Sequence, residues 1–144
     1  MLFAIFLSFF FGYYSYYTGM GELPLPSIYV GEVLMITGEA FRLWGVFTLG
    51  KYFSPIVTIY SDHRVVDKGP YKLVGHPAYG GAIITILGVS IALRSIFSLI
   101  SVLIIAQIYN YRANLEERLL IKNLGEEYEE YKRRVRRKFV PYLL

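Results

Sequence analysis

The chain predicts an all-α fold, a polytopic membrane helical bundle of about four transmembrane helices with a cytosolic polar loop and amphipathic C-terminal helices. Three observations carry that prediction. Hydrophobic residues make up 55% of the 144 and aromatics 17%, for a mean hydropathy of +0.42, which is more apolar than an ordinary soluble domain. The apolar residues gather into long runs of helical length. Lysine and arginine concentrate in two places, five between Arg42 and Lys72 and nine from Arg112 onward. At this length a single domain spanning residues 1–144 is the expected organisation.

The first run, Met1 to Tyr17, carries no charge. A signal peptide would have a positive start and a small-residue cleavage site. This segment has neither and ends in Tyr13, Tyr14, Tyr16 and Tyr17, residues that favour the headgroup level, so a retained membrane helix is expected. Gly19, Gly21, Pro24 and Pro26 then turn the chain, and a second helix is expected from about Ile28 to Thr48. Glu32, Glu39 and Arg42 interrupt it. Glu32 and Arg42 are near enough to its ends to reach water. Glu39 lies three residues before Arg42, the spacing of a same-face pair, and is expected to face the bundle interior.

After a polar, turn-rich segment from Lys51 to Gly75, Pro77 to Leu93 and Ser95 to Tyr109 form two short apolar runs. They predict a helical hairpin with Arg94 and Ser95 at its turn. Strands are excluded because an open sheet edge is not tolerated in hydrocarbon and four such runs cannot close a barrel. The positive-inside rule places both termini, the middle loop and the tail in the cytoplasm, and the protein in the cell membrane.

Cysteine is absent, which removes disulfides, thiolate metal sites and thiol catalysis. With His63 and His76 as the two histidines, no metal centre is expected. In the loop, Pro77 is suited to open a helix, putting His76 at its N-cap and Tyr79 and Gly80 on its first turn. Free amides there favour an anion, and Gly80 and Gly81 permit a ligand or a second backbone to approach. An ordinary loop with a capping histidine is the competing reading.

In the tail, Arg112 and Glu116 are four apart and share a helix face, while Glu117 points about a quarter turn away. Gly125 is a plausible helix stop. Beyond it, Glu129 with Arg133 and Glu130 with Arg134 have the acid-before-base order of a solvated, salt-bridged helix. Lys132, Arg133, Arg134, Arg136, Arg137 and Lys138 suit anionic lipid headgroups rather than nucleic acid. Glu116 and Glu117 work against such adhesion and are therefore assigned to ligand binding.

Three blocks now fall in order: Gly38-Glu-Ala-Phe-Arg42-Leu-Trp44 leading to Leu49-Gly-Lys-Tyr-Phe53-Ser54; Gly69-Pro-Tyr71 with His76-Pro77-Ala-Tyr79-Gly-Gly81; and Glu116-Glu117 with Gly125-Glu-Glu-Tyr128 and Tyr131-Lys-Arg-Arg134-Val135. Together they make a core of about 38–135 that resembles the isoprenylcysteine carboxyl methyltransferase and phospholipid methyltransferase group, integral membrane enzymes using S-adenosyl-L-methionine. The resemblance implies a cytosolic cofactor-binding loop, with Tyr71, Val74, His76, Pro77, Tyr79, Gly81, Glu116 and Glu117 contacting the cofactor. It also implies a lipidic or prenylated methyl acceptor among membrane lipids. The family usually has arginine before the histidine, where this chain has Gly75; Arg64, Lys68 or Lys72 would then have to meet the cofactor carboxylate.

For a carboxylate acceptor, Arg112 and Arg134 are the candidates to orient it; for an amine, a base is needed and Glu116 would serve. Carboxyl methylation is the first reading and phospholipid-type N-methylation the second. A nicotinamide-dependent membrane reductase is a third, although no Gly-x-Gly-x-x-Gly fingerprint occurs, and a non-catalytic lipid-binding adaptor a fourth. Four short helices leave little interior, so a homodimer is an open expectation.

Overall fold

A computed structural model describes residues 1–54 and 64–140, which puts His63 outside the described residues. They form five helices, α1 (Leu2–Thr18), α2 (Ser27–Leu49), α3 (Pro77–Ala92), α4 (Leu99–Leu124) and α5 (Glu126–Arg134), with 3-10 turns at Gly50–Tyr52 and Gly69–Lys72. No strand occurs among the described residues beyond an isolated bridge between Glu22 and Ser95.

The uncharged first run is helical as expected and stops at Gly19, whose left-handed φ of 68° lets its N–H reach back to the Ser15 carbonyl at 2.8 Å. The segment Ser27–Tyr52 is long and apolar enough to cross a membrane by length and composition. It buries only 11% of its most apolar stretch in the protein, leaving Tyr29, Val33, Ile36 and Phe47 facing outward. Glu32 is exposed and Glu39 is half-buried.

The largest departure concerns α4. The apolar run ending at Tyr109 is only its first part; the helix begins at Leu99 and continues through the charged stretch to Leu124 as one 26-residue element. Neither glycine nor proline occurs between those residues, so nothing breaks the hydrogen-bond ladder where the composition changes. The stop comes at Gly125, with φ of 55°.

The chain divides into two compact units, one of residues Met1–Ala40 with Gly81–Ile108, the other of Phe41–Gly80 with Tyr109–Leu144. In the first unit, α1 meets the α3–α4 hairpin through serine. Ser8, Ser15, Ser90, Ser95, Ser98 and Ser101 are all buried, and burial without partners would be costly. They satisfy one another: Ser15 and Ser95 hydroxyls lie 2.7 Å apart, and the Ser98 hydroxyl donates to the Ser8 carbonyl at 2.9 Å. Glycine brings α2 and α3 together here, since a Cβ on Gly38 would stand 2.6 Å from the Thr85 amide nitrogen and one on Gly88 2.5 Å from that of Met35. At the hairpin turn Arg94 takes a φ of 54°. Its side chain donates to the Leu23 carbonyl at 2.8 Å and pairs with Glu22 at 2.9 Å, closing the linker over the turn.

The second unit packs aromatic residues. Tyr71, Val74, Ala113, Tyr128, Tyr131 and Phe139 are buried, so α5 turns its two tyrosines inward and its charges outward. Tyr131 donates its hydroxyl to the Tyr71 carbonyl at 2.8 Å, tying α5 to the 3-10 turn. All the site geometry below belongs to this unit.

Candidate functional site

His76 caps α3, and its position follows from Pro77, which starts the helix. The tail after α5 runs beside it: the Gly75 amide donates to the Arg137 carbonyl and the His76 amide to the Lys138 carbonyl, each at 2.8 Å. The Phe139 carbonyl occupies the space that a Cβ on Gly80 would need. The close approach that glycine permits there is thus made by the chain's own backbone. Phe139 is buried, with its ring centroid 6.2 Å from that of His76.

From α4, two consecutive glutamates reach this histidine. Successive residues on a helix point about 100° apart, so they approach the ring from different sides. Glu117 Oε1 lies 3.1 Å from Nε2, and Glu116 Oε2 lies 3.7 Å from Nδ1. A carboxylate only accepts hydrogen bonds, which assigns a proton to Nε2. The second oxygen of Glu117 takes a hydrogen bond from Lys132 Nζ at 2.5 Å. Tyr79 donates its hydroxyl to Glu116. The rings stack in series, His76 on Tyr79 at 5.7 Å and Tyr79 on Tyr109 at 4.6 Å. Arg112 sits over the Tyr79 ring at 5.8 Å and 4.0 Å from Glu116, as their i to i+4 spacing predicts.

These contacts set the charge state. Partial burial opposes ionisation of Glu117, but the hydrogen bonds and charges of His76 and Lys132 outweigh it and lower its carboxyl to about 2. Burial first, and neighbouring acids or tyrosines second, raise Tyr71, Tyr128 and Tyr131 above the ordinary phenol range, so all three are hydrogen-bond donors at neutral pH.

A cavity of about 130 Å³ opens here, with Tyr71, His76, Tyr79, Glu116, Leu120 and Tyr128 in its wall. A second, more polar cleft of about 400 Å³ is lined by Asn114, Glu117, Lys132 and the Arg136 to Lys138 segment. Gly75, Tyr128 and Tyr131 border both. Of the residues singled out in the sequence, Tyr71, His76, Tyr79, Glu116 and Glu117 are brought together here, with Arg112 beside them. Val74 and Pro77 are buried and line neither space. Gly81 is buried one residue beyond the unit boundary. Arg134 is 60% exposed and pairs with Asp67 at 3.5 Å, on neither wall.

Lys132, Tyr109, Lys138 and Phe139 are parts of the site that sequence reasoning did not assign. The i, i+3 spacing of Tyr128 and Tyr131 in a charged helix was a legible sign of a buried face. Lys132 is 15 residues from Glu117, and nothing local announces their pairing.

Among the described residues, an all-helical fold with paired carboxylates closed on one imidazole, beside an aromatic cavity, defines a class of helical protein with a candidate polar site. The chain belongs to the isoprenylcysteine carboxyl methyltransferase (ICMT) family, whose sequence model matches residues 31–122. It is 36% identical over 110 residues to the probable protein-S-isoprenylcysteine O-methyltransferase of Oryza sativa subsp. indica, covering 74% of this chain and 58% of that protein. Over 109 residues it is 34% identical to the protein-S-isoprenylcysteine O-methyltransferase of Saccharomyces cerevisiae, covering 74% of this chain and 46% of that one. The fold matches the eukaryotic intramembrane Ras methyltransferase ICMT with a TM-score of 0.83 at 23% identity, over 99% of this chain and 52% of that one. The chain thus spans about half the length of the relatives it matches.

Proposed function

We propose that this chain is a membrane methyltransferase that moves a methyl group from S-adenosyl-L-methionine to the carboxylate of a lipidic or isoprenylated acceptor. The observation that carries the reading is the closure of Glu116 and Glu117 on His76 at the wall of an aromatic cavity, in a chain of this family. Relatives named as isoprenylcysteine O-methyltransferases favour a carboxyl over an amine acceptor.

The donor set suits this cofactor. Ionised carboxylates and stacked tyrosine faces attract a cation, and carboxylates also accept from ribose hydroxyls. The apolar side of the cavity, with Leu119, Leu120 and Leu124, suits a flat ring. At about 130 Å³ the cavity is smaller than the roughly 300 Å³ of a small-molecule site, so it takes one end of such a molecule. Tyr71, His76, Tyr79, Glu116 and Glu117 would make the contacts, while buried Val74, Pro77 and Gly81 fix the loop and helix start that carry them.

Bound cofactor supplies an activated methyl group, and holding the acceptor in line with it accounts for much of the rate. No general base is needed for a carboxylate nucleophile. Arg112, held by Glu116 and the Tyr79 face, orients the acceptor in this reading; Arg134 is the second candidate. Glu116 in turn sets the position of Arg112 and of the Tyr79 hydroxyl. A single domain with four membrane crossings, both termini and the site cytoplasmic in a cell membrane, completes the proposal. It is supported by the lysine and arginine distribution.

Titration calorimetry of the purified chain with S-adenosylhomocysteine tests it. Saturable binding is expected in the wild type, with at least a tenfold loss, about 1.4 kcal/mol, in Glu116→Ala. Absence of binding in the wild type, together with no transfer of labelled methyl to lipid extracts, would end the proposal.

A further inference from the structure

The two carboxylates at His76 come from α4, but its backbone partners and one of its ring contacts come from the segment that follows α5. The His76 amide donates to the Lys138 carbonyl and the Gly75 amide to the Arg137 carbonyl. One turn into α3, the Phe139 carbonyl fills the hollow left by Gly80, while the buried Phe139 ring meets the imidazole at an angle of 49°. Backbone and ring therefore act on the same residue.

This segment is itself anchored on α4. Lys138 Nζ donates to the Asn110 side-chain oxygen at 2.9 Å and to that of Asn114 at 2.6 Å, two residues one turn apart on the same helix face. Its ammonium lies 5.6 Å from the Phe139 ring centroid. Glu116 and Glu117 follow Asn114 within a turn, so one helix presents both the acids that meet the imidazole and the amides that anchor the segment beside it. An imidazole between two carboxylates can still leave either by rotating about its side-chain bonds. Stacking on Tyr79 at 5.7 Å limits one direction of that movement, and Phe139 limits another.

We propose that Phe139, anchored through Lys138, is the positioning residue that holds the His76 imidazole between Glu116 and Glu117. Phe139 lines neither the aromatic cavity nor the polar cleft, so it acts on a guest through His76. The identity of that guest, S-adenosyl-L-methionine, rests on the methyltransferase reading above.

The test uses the full chain in detergent and two measurements. Carbethoxylation of His76 by diethyl pyrocarbonate, mapped by mass spectrometry against free N-acetylhistidine in the same tube, reports how firmly the ring is held without any cofactor. Titration calorimetry with S-adenosylhomocysteine reports what that hold contributes to binding. Phe139→Ala, in a chain that keeps its circular dichroism spectrum, is expected to raise the His76 rate about tenfold and to weaken binding about tenfold. Phe139→Leu refills the apolar space and is expected to bring both to within about threefold of the wild type. Unchanged labelling in folded Phe139→Ala overturns the proposal, as does faster labelling with undiminished affinity, which would make the ring a cover only. If Phe139→Ala does not fold, Lys138→Met is judged by the same two outcomes, since it keeps the stem and removes the ammonium from the asparagine oxygens. A wild-type His76 that reacts as fast as free N-acetylhistidine overturns the proposal whatever the variants do. Failure of the wild type to bind S-adenosylhomocysteine counts against the methyltransferase reading alone, and the labelling rates then decide the role of Phe139.

Discussion

Replacing Glu117 by glutamine removes a charge that His76 and Lys132 share. Its carboxyl is lowered from 4.5 to about 2, and each pKa unit corresponds to about 1.4 kcal/mol, so the full coupling is on the order of 3 kcal/mol. Lys132 is half exposed, which discounts its part by solvent screening and leaves about 2 to 3 kcal/mol. For a chain of this size that is roughly 4 to 12 °C in Tm. The sign follows from the direction of the shift. A depressed folded-state pKa stabilises the protein above the unfolded value of 4.5, and that contribution is lost as pH falls toward about 2. Thermal unfolding in detergent, followed by intrinsic fluorescence, should therefore show Glu117→Gln well below the wild type at pH 7, with the gap narrowing between pH 4.5 and the lowest pH that the detergent permits. A gap that is absent at pH 7, or that persists undiminished at pH 3, would refute the assignment of Glu117 as a shared anion.

Two further outcomes concern packing. Gly80→Ala places a methyl group against the Phe139 carbonyl, so the tail should detach from His76. Trypsin cleavage at Arg136 and Arg137 is expected to accelerate at least tenfold, an opening penalty of about 1.4 kcal/mol, and an unchanged rate would mean that the tail does not lie there. Ser101→Ala removes a partner of the buried Ser8 hydroxyl and should cost about 0.6 to 2 kcal/mol. Ser8→Ala/Ser101→Ala should cost less than the sum of the single changes, read as Tm.

Most of the helical layout was legible because its signals are local. Pro77 starts α3, Gly19 and Gly125 stop α1 and α4, and charge-free runs set the lengths of α1 and α3. The merger of two expected segments into α4 was missed because hydropathy changes at Tyr109 while backbone propensity does not. The site was half legible. The assignment of Glu116 and Glu117 to a ligand came from their poor fit with a basic tail, and Arg112 from its helical spacing to Glu116. Lys132 and Phe139 could not be found that way, since each meets its partner through the turn at Gly125 or the extended tail, and no local pattern encodes those distances. The serine network was hidden for a similar reason. Six buried serines in three segments look like filler until the helices pair them.

Glu117 has an oxygen for each of two neighbours, His76 at 41 residues' separation and Lys132 at 15. Under the proposed cofactor binding, a guest that competed for one of these oxygens would alter the balance at the other, which links the imidazole to α5 through a single carboxylate. A reporter on the outer surface of α5 should therefore respond when the polar cleft lined by Glu117 and Lys132 is filled.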